Sequence, residues 1–326
     1  MTLPFRLSPV LSDELQALNA RLAAEGFAPP DGTLMDPDEG QASTLEAARR
    51  WNVDMPPLAR RAEVTVPADA ELGSADVRCL VLVPEGRVDG ILFFVHGGGF
   101  AFCSPETHER AAALQGIASG MAVVLPDYRR SPRHPYPAGL LDTVAALRAV
   151  LDDAPRFGLD PGPVIVSGDS AGANLGLCAI LQDQRRPAPG PAGAVLFYGV
   201  FGADFETESY RVFDAGPGLT RPKMRRYWDW YLPETARRDD PLAAPIRADD
   251  AALSALPPLH LSAAGVDPLL SDTLGLAARL RGLGRSDSCT VVPGVTHGFL
   301  QLTTVLAAAR DTIAEAGQAA RRMIEA

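Results

Sequence analysis

One serine in this chain sits where folding alone gains little from a polar side chain. Residues 166–175 read VSGDSAGANL, so Ser170 lies between Gly168 and Gly172, after an apolar run and before a run of helix formers. This is the only G-x-S-x-G segment in the chain. Placed between a strand and a helix, the pattern makes a sharp turn that lifts the serine hydroxyl into the open. The following helix then aims its first N–H groups at the serine and favours negative charge there. The plainer reading is a helix-capping serine in a glycine-rich turn. A serine hydroxyl is a weak nucleophile without a base, so the two readings separate on whether a histidine and an orienting acid exist.

Only His260 and His297 follow Ser170. His260 lies inside the apolar stretch PLHLSAAG, whereas His297 lies in PGVTHGFL, a loop just beyond the last strand-like segment. Asp267 follows HLSAAGV and precedes Pro268, which puts it at the end of the preceding strand. The chain order serine, acid, histidine is the order required of a triad carried on one mainly parallel sheet. All three residues fall at carboxyl ends of strands, where open α/β sheets place their sites. Alone, Asp267 reads as a capping residue and His297 as a loop histidine; their joint order and placement point to acyl-transfer chemistry. The oxyanion formed in that chemistry needs fixed N–H donors. The segment FFVHGGGFAF ends a strand in His96-Gly97-Gly98-Gly99, and backbone N–H groups there, with that of Ala171, supply candidates. Phe100 and Phe102 stand beside these glycines as candidates to narrow a substrate entrance or to join the core. Tyr198, at the end of a strand, and Phe299, two residues past His297, are further candidates for substrate contact.

The elements that must hold these residues are legible as alternation. AEVTVPA and DVRCLVLVP alternate apolar and polar residues, as half-buried antiparallel strands do. GILFFVHG, MAVVLPDY, PVIVSGD, AGAVLFYG, PLHLSAAG and DSCTVVPG are short and almost wholly apolar, which predicts a mainly parallel sheet of about eight strands covered on both faces. Helical stretches separate most of them, at Pro105–Gly120, Pro137–Asp153, Ser170–Gln184 and Leu269–Leu283, and a last helix spans Thr303–Ile324. Leu306, Ala309, Ile313, Ala316 and Ala320 share one face of that last helix. Before the strands, Ser12 caps a helix whose Leu15, Leu18 and Leu22 share a face and which Gly26 stops. A second helix is expected at Ser43–Trp51, after the loop APPDGTLMDPDEG. Residues 1–55 thus read as helices outside the sheet and 56–326 as the main domain. About sixty residues separate the strand ending at Tyr198 from the one starting at Leu259. This segment, near 200–256, holds the helix LTRPKMRRYWDWYL, with Thr220 as its cap and Met224, Tyr227, Trp228 and Tyr231 on one face. An aromatic stripe is more often core packing than a ligand cradle, but an insertion of that size also suits a lid.

With 326 residues, 47% of them hydrophobic, the chain is long enough for one large α/β domain. Its net charge of −10 argues against nucleic acid and against anionic membrane surfaces as partners. No basic patch precedes a long apolar run, no stretch is apolar enough to span a bilayer, and a cytoplasmic location is the expectation. Four scattered cysteines fit no zinc spacing, and the five histidines make no HExxH pair, so no metal site is expected.

His96-Gly97-Gly98-Gly99, Gly168-Asp169-Ser170-Ala171-Gly172, Asp127-Tyr128-Arg129, Asp267-Pro268-Leu269 and His297-Gly298-Phe299 together resemble the bacterial hormone-sensitive-lipase family of esterases. The resemblance runs from about Val83 to the C-terminus. It implies an α/β-hydrolase fold, hydrolysis of a small-molecule carboxylic ester, no cofactor, a cap built partly from the N-terminal helices, and often a homodimer. Carried onto matching positions, it implies a triad of Ser170, Asp267 and His297 and an oxyanion hole of Gly98, Gly99 and Ala171. The chain departs from the family after Arg129, reading Arg-Ser-Pro-Arg where Leu-Ala-Pro-Glu is usual. A preference for short acyl chains is expected. The same machinery also serves amides, lactams or acyl transfer, and relatives that have lost the histidine act as ligand receptors; His297 weighs against that last reading.

Overall fold

The computed structural model describes residues 7–325. One sheet holds eight strands: β1 Leu58–Val66, β2 Val77–Pro84, β3 Ile91–Val95, β4 Ala122–Pro126, β5 Val164–Asp169, β6 Gly193–Phe197, β7 Leu259–Val266 and β8 Ser288–Thr296. Their spatial order is β1-β2-β4-β3-β5-β6-β7-β8. The first two pairings are antiparallel and the rest parallel. Strands β3 to β6 are buried along their whole length, as continuous apolar runs require. β1 alternates between half-buried and exposed, as its sequence predicts. β2 does not: six of its eight residues are buried, because it lies between β1 and β4 with both faces covered.

Successive side chains of each strand enter different layers. Phe93, Val95, Val166 and Leu196 meet helices α4 (Ala138–Asp152) and α5 (Ala171–Asp183), while Leu92, Phe94, Ile165 and Val195 meet α3 (Pro105–Ser119) and α10 (Ala307–Glu325). The last helix begins at Ala307 rather than Thr303, because a short 3-10 turn, Phe299–Leu302, buries Phe299 and Leu300 first. The five apolar positions read from its sequence are all buried. From β3 the chain crosses to β4 on one side and later to β5 on the other. The carboxyl ends of β3 and β5 therefore border the crevice where the direction of winding reverses.

The N-terminal segment lies outside the sheet yet is tied to it. In α1 (Asp13–Ala24), Ser12 caps the Leu15 N–H, and Leu15 and Leu18 are buried with Val295, Phe299 and Leu306. The Ser12 N–H donates to the Gly294 carbonyl at 2.9 Å, just past the bend of β8. Helix α2 runs Pro37–Arg49, not Ser43–Trp51: Asp36 caps it and Pro37 fills its first turn, so the apparent loop residues PDEG are helical. The insertion contains α6 (Glu208–Val212), α7 (Arg221–Tyr231) and α8 (Asp250–Ser254), and α9 (Leu270–Gly282) follows β7. Thr220 caps α7, and Met224, Tyr227, Trp228 and Tyr231 are buried. The N-terminal segment and the insertion meet at Asp31, which pairs with Arg226 at 2.6 Å and Lys223 at 3.5 Å. The unusual arginines after Arg129 are both engaged: Arg130 with Asp127 at 2.5 Å, and Arg133 with Asp38 of α2 at 2.6 Å.

Helix α10 crosses α3 at Gly317, where a β-carbon would lie 2.5 Å from the Ala118 β-carbon and 2.8 Å from its carbonyl carbon. Gly317→Ala gains about 1 kcal/mol of helix propensity. Forcing the two backbones apart costs about 1–3 kcal/mol, so the variant should be the less stable. Urea unfolding should show a lower midpoint at unchanged slope. A higher midpoint would mean that the helices part freely here.

Candidate active site

Ser170 occupies the single residue between β5 and α5, at φ 54° and ψ −120°. That is neither strand nor helix backbone, and it is uncommon for a residue with a β-carbon. The turn is held by contact. A β-carbon on Gly172 would lie 2.0 Å from the Val95 carbonyl oxygen, and one on Gly168 would lie 2.7 Å from the same atom. Both glycines let the turn press against the end of β3. The Ser170 N–H donates to the Phe197 carbonyl at 2.9 Å, which fixes the bend from β6 as well.

The loop after β8 carries His297 back over this turn. His297 Nε2 lies 2.8 Å from Ser170 Oγ, and its Nδ1 lies 2.7 Å from Asp267 Oδ2. Asp267 is fully buried at the end of β7, and its other oxygen accepts the Leu269 N–H at 2.9 Å. A carboxylate only accepts, so Nδ1 carries the proton and Nε2 faces the serine hydroxyl as an acceptor. The Tyr198 ring braces the imidazole at 4.8 Å between centroids. His260 is elsewhere: it sits in β7 with Nδ1 2.8 Å from Ser288 Oγ, and burial lowers its pKa. The arrangement of Asp267, His297 and Ser170 is able to draw a proton from Oγ as it attacks.

Opposite Ser170, the loop after β3 turns through left-handed backbone at Gly98 (φ 117°) and Gly99 (φ 61°). Among the described residues, neither of their N–H groups is bonded to a protein acceptor. The Ala171 N–H, first in α5, has no partner within the helix. A β-carbon on Gly98 would fall 2.2 Å from the Phe102 carbonyl oxygen, and one on Gly99 would fall 2.4 Å from the Tyr227 ring.

Sequence reasoning missed a residue here. Asp169, the variable position before the serine, is buried, and its Oδ1 accepts the Gly97 N–H at 2.9 Å and lies 3.1 Å from His108 Nε2 in α3. Tyr198 Oη reaches its other oxygen at 3.3 Å. Burial alone would raise its pKa, but the charge and hydrogen bond of His108, with the Gly97 N–H, outweigh that and hold it below the usual carboxylate range. Asp169 thus joins the glycine loop to the serine turn. No pattern in the sequence pairs Asp169 with His108; only the fold brings them together. His96, by contrast, is structural. Burial first, then His108 and Arg130, push its pKa down to about 3, and its ring stacks on Tyr128 at 4.4 Å.

The four aromatic residues expected to contact substrate are core residues. Phe100 stacks on Tyr231 at 3.8 Å, and Phe102 meets the edges of Tyr227 and Trp230 at 5.9 and 5.8 Å. Tyr198 and Phe299 pack on each other at 5.6 Å, and none of the four is more than 2% exposed. The aromatic stripe of α7 covers the first two, and Gly32 and Gly40 close over Phe102 from the N-terminal segment. Beside His297 a cavity of about 300 Å³ remains, walled by Phe27, Ala47, Trp51, Cys103 and Leu302. A larger hollow of about 500 Å³ opens at Leu259, Arg285 and Ser288 and contains no residue of the serine, histidine and aspartate set. Among the described residues, no helix is long and apolar enough to cross a membrane.

A family model described as alpha/beta hydrolase fold matches residues 92–301. The chain belongs to this family. The α/β-hydrolase is 32% identical to the carboxylesterase NlhH of Mycobacterium tuberculosis over 275 residues, which is 83% of this chain and 85% of that one. It is 30% identical to an acetyl esterase of Salmonella schwarzengrund over 308 residues, 93% and 92% of the two chains. A thermostable esterase from Pseudomonas putida superposes with a TM-score of 0.89 at 26% identity, over 97% of this chain and 98% of that one. The resemblance carried by the motifs is borne out, and this α/β-hydrolase is a carboxylesterase.

Gly98→Ala should drop kcat by about 10²–10³, because the added carbon forces the loop off the Phe102 carbonyl and turns an N–H donor away from Ser170. Steady-state turnover of p-nitrophenyl acetate measures it. An unchanged rate would reduce the loop to a turn.

Proposed function

We propose that this carboxylesterase cleaves short-chain esters with Ser170 as nucleophile, His297 as general base and acid, and Asp267 as the group that orients His297. The observation that carries the reading is the unbroken chain of hydrogen bonds from Asp267 through His297 to Ser170. Ser170 Oγ attacks the ester carbonyl carbon while its proton passes to His297 Nε2. The carbonyl oxygen becomes an oxyanion, received by the N–H groups of Gly98, Gly99 and Ala171. The carbon–alkoxide bond then breaks, and His297 gives its proton to the departing alcohol. Water attacks the acyl-enzyme in the same way, and the acid leaves with Ser170 restored. Asp267 remains ionised throughout and stabilises the imidazolium that forms between transfers.

Residues 1–55 and the insertion near 200–256 act in this reading as the cap. Their meeting at Asp31 and their joint closure over Phe102 support it. The name of the acetyl esterase relative supports a short acyl group.

Ser170→Ala should lose more than about a hundredfold in activity with the fold intact. A fluorophosphonate should label the wild-type chain at Ser170. On p-nitrophenyl esters, rates should peak at acetate to butyrate and fall for longer acyl chains. Residual activity near wild type in the variant would remove Ser170 as nucleophile, and a peak at long chains would remove the short-chain assignment.

A further inference from the structure

The leaving alcohol places one requirement on this site. His297 Nε2 must protonate the alkoxide as it departs, so the alcohol oxygen lies against the imidazole at that moment and its carbon chain extends beyond. A cavity of about 300 Å³ has His297 in its wall; Phe27, Ala47, Trp51 and Leu302 make most of its surface apolar, with Thr44, Thr107, His108 and Gln301 among the rest. Phe27 and Trp51 meet edge to face at 6.2 Å, which makes that wall firm.

Cys103 is the unusual member of the lining. It stands at φ 72°, in the left-handed region that crowds a β-carbon and that glycine adopts freely. Strained residues of this kind persist where the surroundings hold them, and they gather at sites. Cys103 is held: its carbonyl accepts the Gln41 Nε2 hydrogen bond of α2 at 2.9 Å. Burial, with a smaller push from Asp169 and against a hydrogen bond to Thr107, raises its thiol pKa to about 12. The thiol is therefore neutral and does not compete with Ser170 as a nucleophile. What it supplies is volume.

Resting on the triad reading above, we propose that this cavity receives the alcohol arm of the ester, a compact apolar group, and that Cys103 sets how large the arm is. Cys103→Gly removes the β-carbon and sulfur at a backbone angle glycine prefers, so it enlarges the cavity without strain. Cys103→Met extends an unbranched chain into the same space.

The experiment measures kcat/KM on ethyl acetate, benzyl acetate and ethyl butyrate for the wild type and both variants. Cys103→Gly should raise the benzyl-to-ethyl ratio by about fivefold or more, and Cys103→Met should lower it by a similar factor. The butyrate-to-acetate ratio should stay within about twofold in both. A loss of stability alone would scale all three substrates together. If Cys103→Met fails to fold, Cys103→Gly carries the test alone. An unchanged alcohol ratio in Cys103→Gly overturns the assignment, and so does a shift in the acyl ratio in its place. Fluorophosphonate labelling of the wild type separates the causes: an unlabelled Ser170 overturns the triad reading and this one with it, whereas a labelled enzyme with unmoved ratios overturns Cys103 alone.

Discussion

Gly172 has no room for a side chain, because the carbonyl of Val95 stands 2.0 Å from where a β-carbon would be. That contact presses the turn after β5 against the end of β3, and most of the site follows from it. The serine at the top of the turn is held at a backbone angle that costs on the order of 1–3 kcal/mol. The glycine loop leaving β3 begins one residue beyond the same carbonyl, so Ser170 and the free N–H groups of Gly98 and Gly99 share a single anchor. β6 closes the other side through the bond from Ser170 to Phe197. The reversal of winding at β3 is what leaves this place open above the sheet.

Asp169 turns that contact into a connected network. Its carboxylate bonds the first glycine of the loop, a histidine of α3 and a tyrosine that braces His297. A buried carboxylate loses its hydration and needs hydrogen bonds to offset that loss, so its net contribution to stability is small. Its effect is placement, since three separate elements converge on one carboxylate. The sign of its linkage to pH follows from the lowered pKa. The stabilisation is complete above the unfolded carboxyl value of about 3.9, and it disappears as pH falls through the lower folded value. The network is thus intact through the neutral range.

The N-terminal segment and the insertion take part in the same arrangement. Phe102 is four residues past Gly98 and lies between Gly32 and Gly40 on one side and the aromatic face of α7 on the other. Leu15 and Leu18 share a core with Val295 and Phe299, which flank His297. The N-terminal segment, the insertion and the glycine loop therefore pack as one unit. Phe100 and Phe102, beside these glycines, pack against α7, and Phe102 also against the N-terminal segment, which is why both are buried.

The sequence by itself determined most of the sheet and the sharp turn at Ser170, and it singled out Ser170, Asp267 and His297, which the fold brings into one hydrogen-bonded row. Each of these rests on local signals. Short apolar runs between helical stretches predict buried strands, and five of the six are; DSCTVVPG is the exception, because β8 lies at the sheet edge and is mostly half-buried. A serine between glycines at a strand–helix junction predicts a sharp turn, and chain order on a parallel sheet ranks the candidates for base and acid. The start of α2 was missed for the opposite reason, since Asp36-Pro37-Asp38-Glu39-Gly40 carries loop residues that also make a helix cap and first turn. The burial of β2 depended on β4, a strand more than thirty residues away that pairs with it only in the folded sheet. The His108–Asp169 pair, the burial of Phe100 and Phe102, and the narrow space that Cys103 shares with His297 were decided by tertiary structure alone. These are contacts between segments far apart in the chain, and no periodicity within either segment encodes them. What a residue type can do is written locally; which neighbour it meets is settled only when the layers pack.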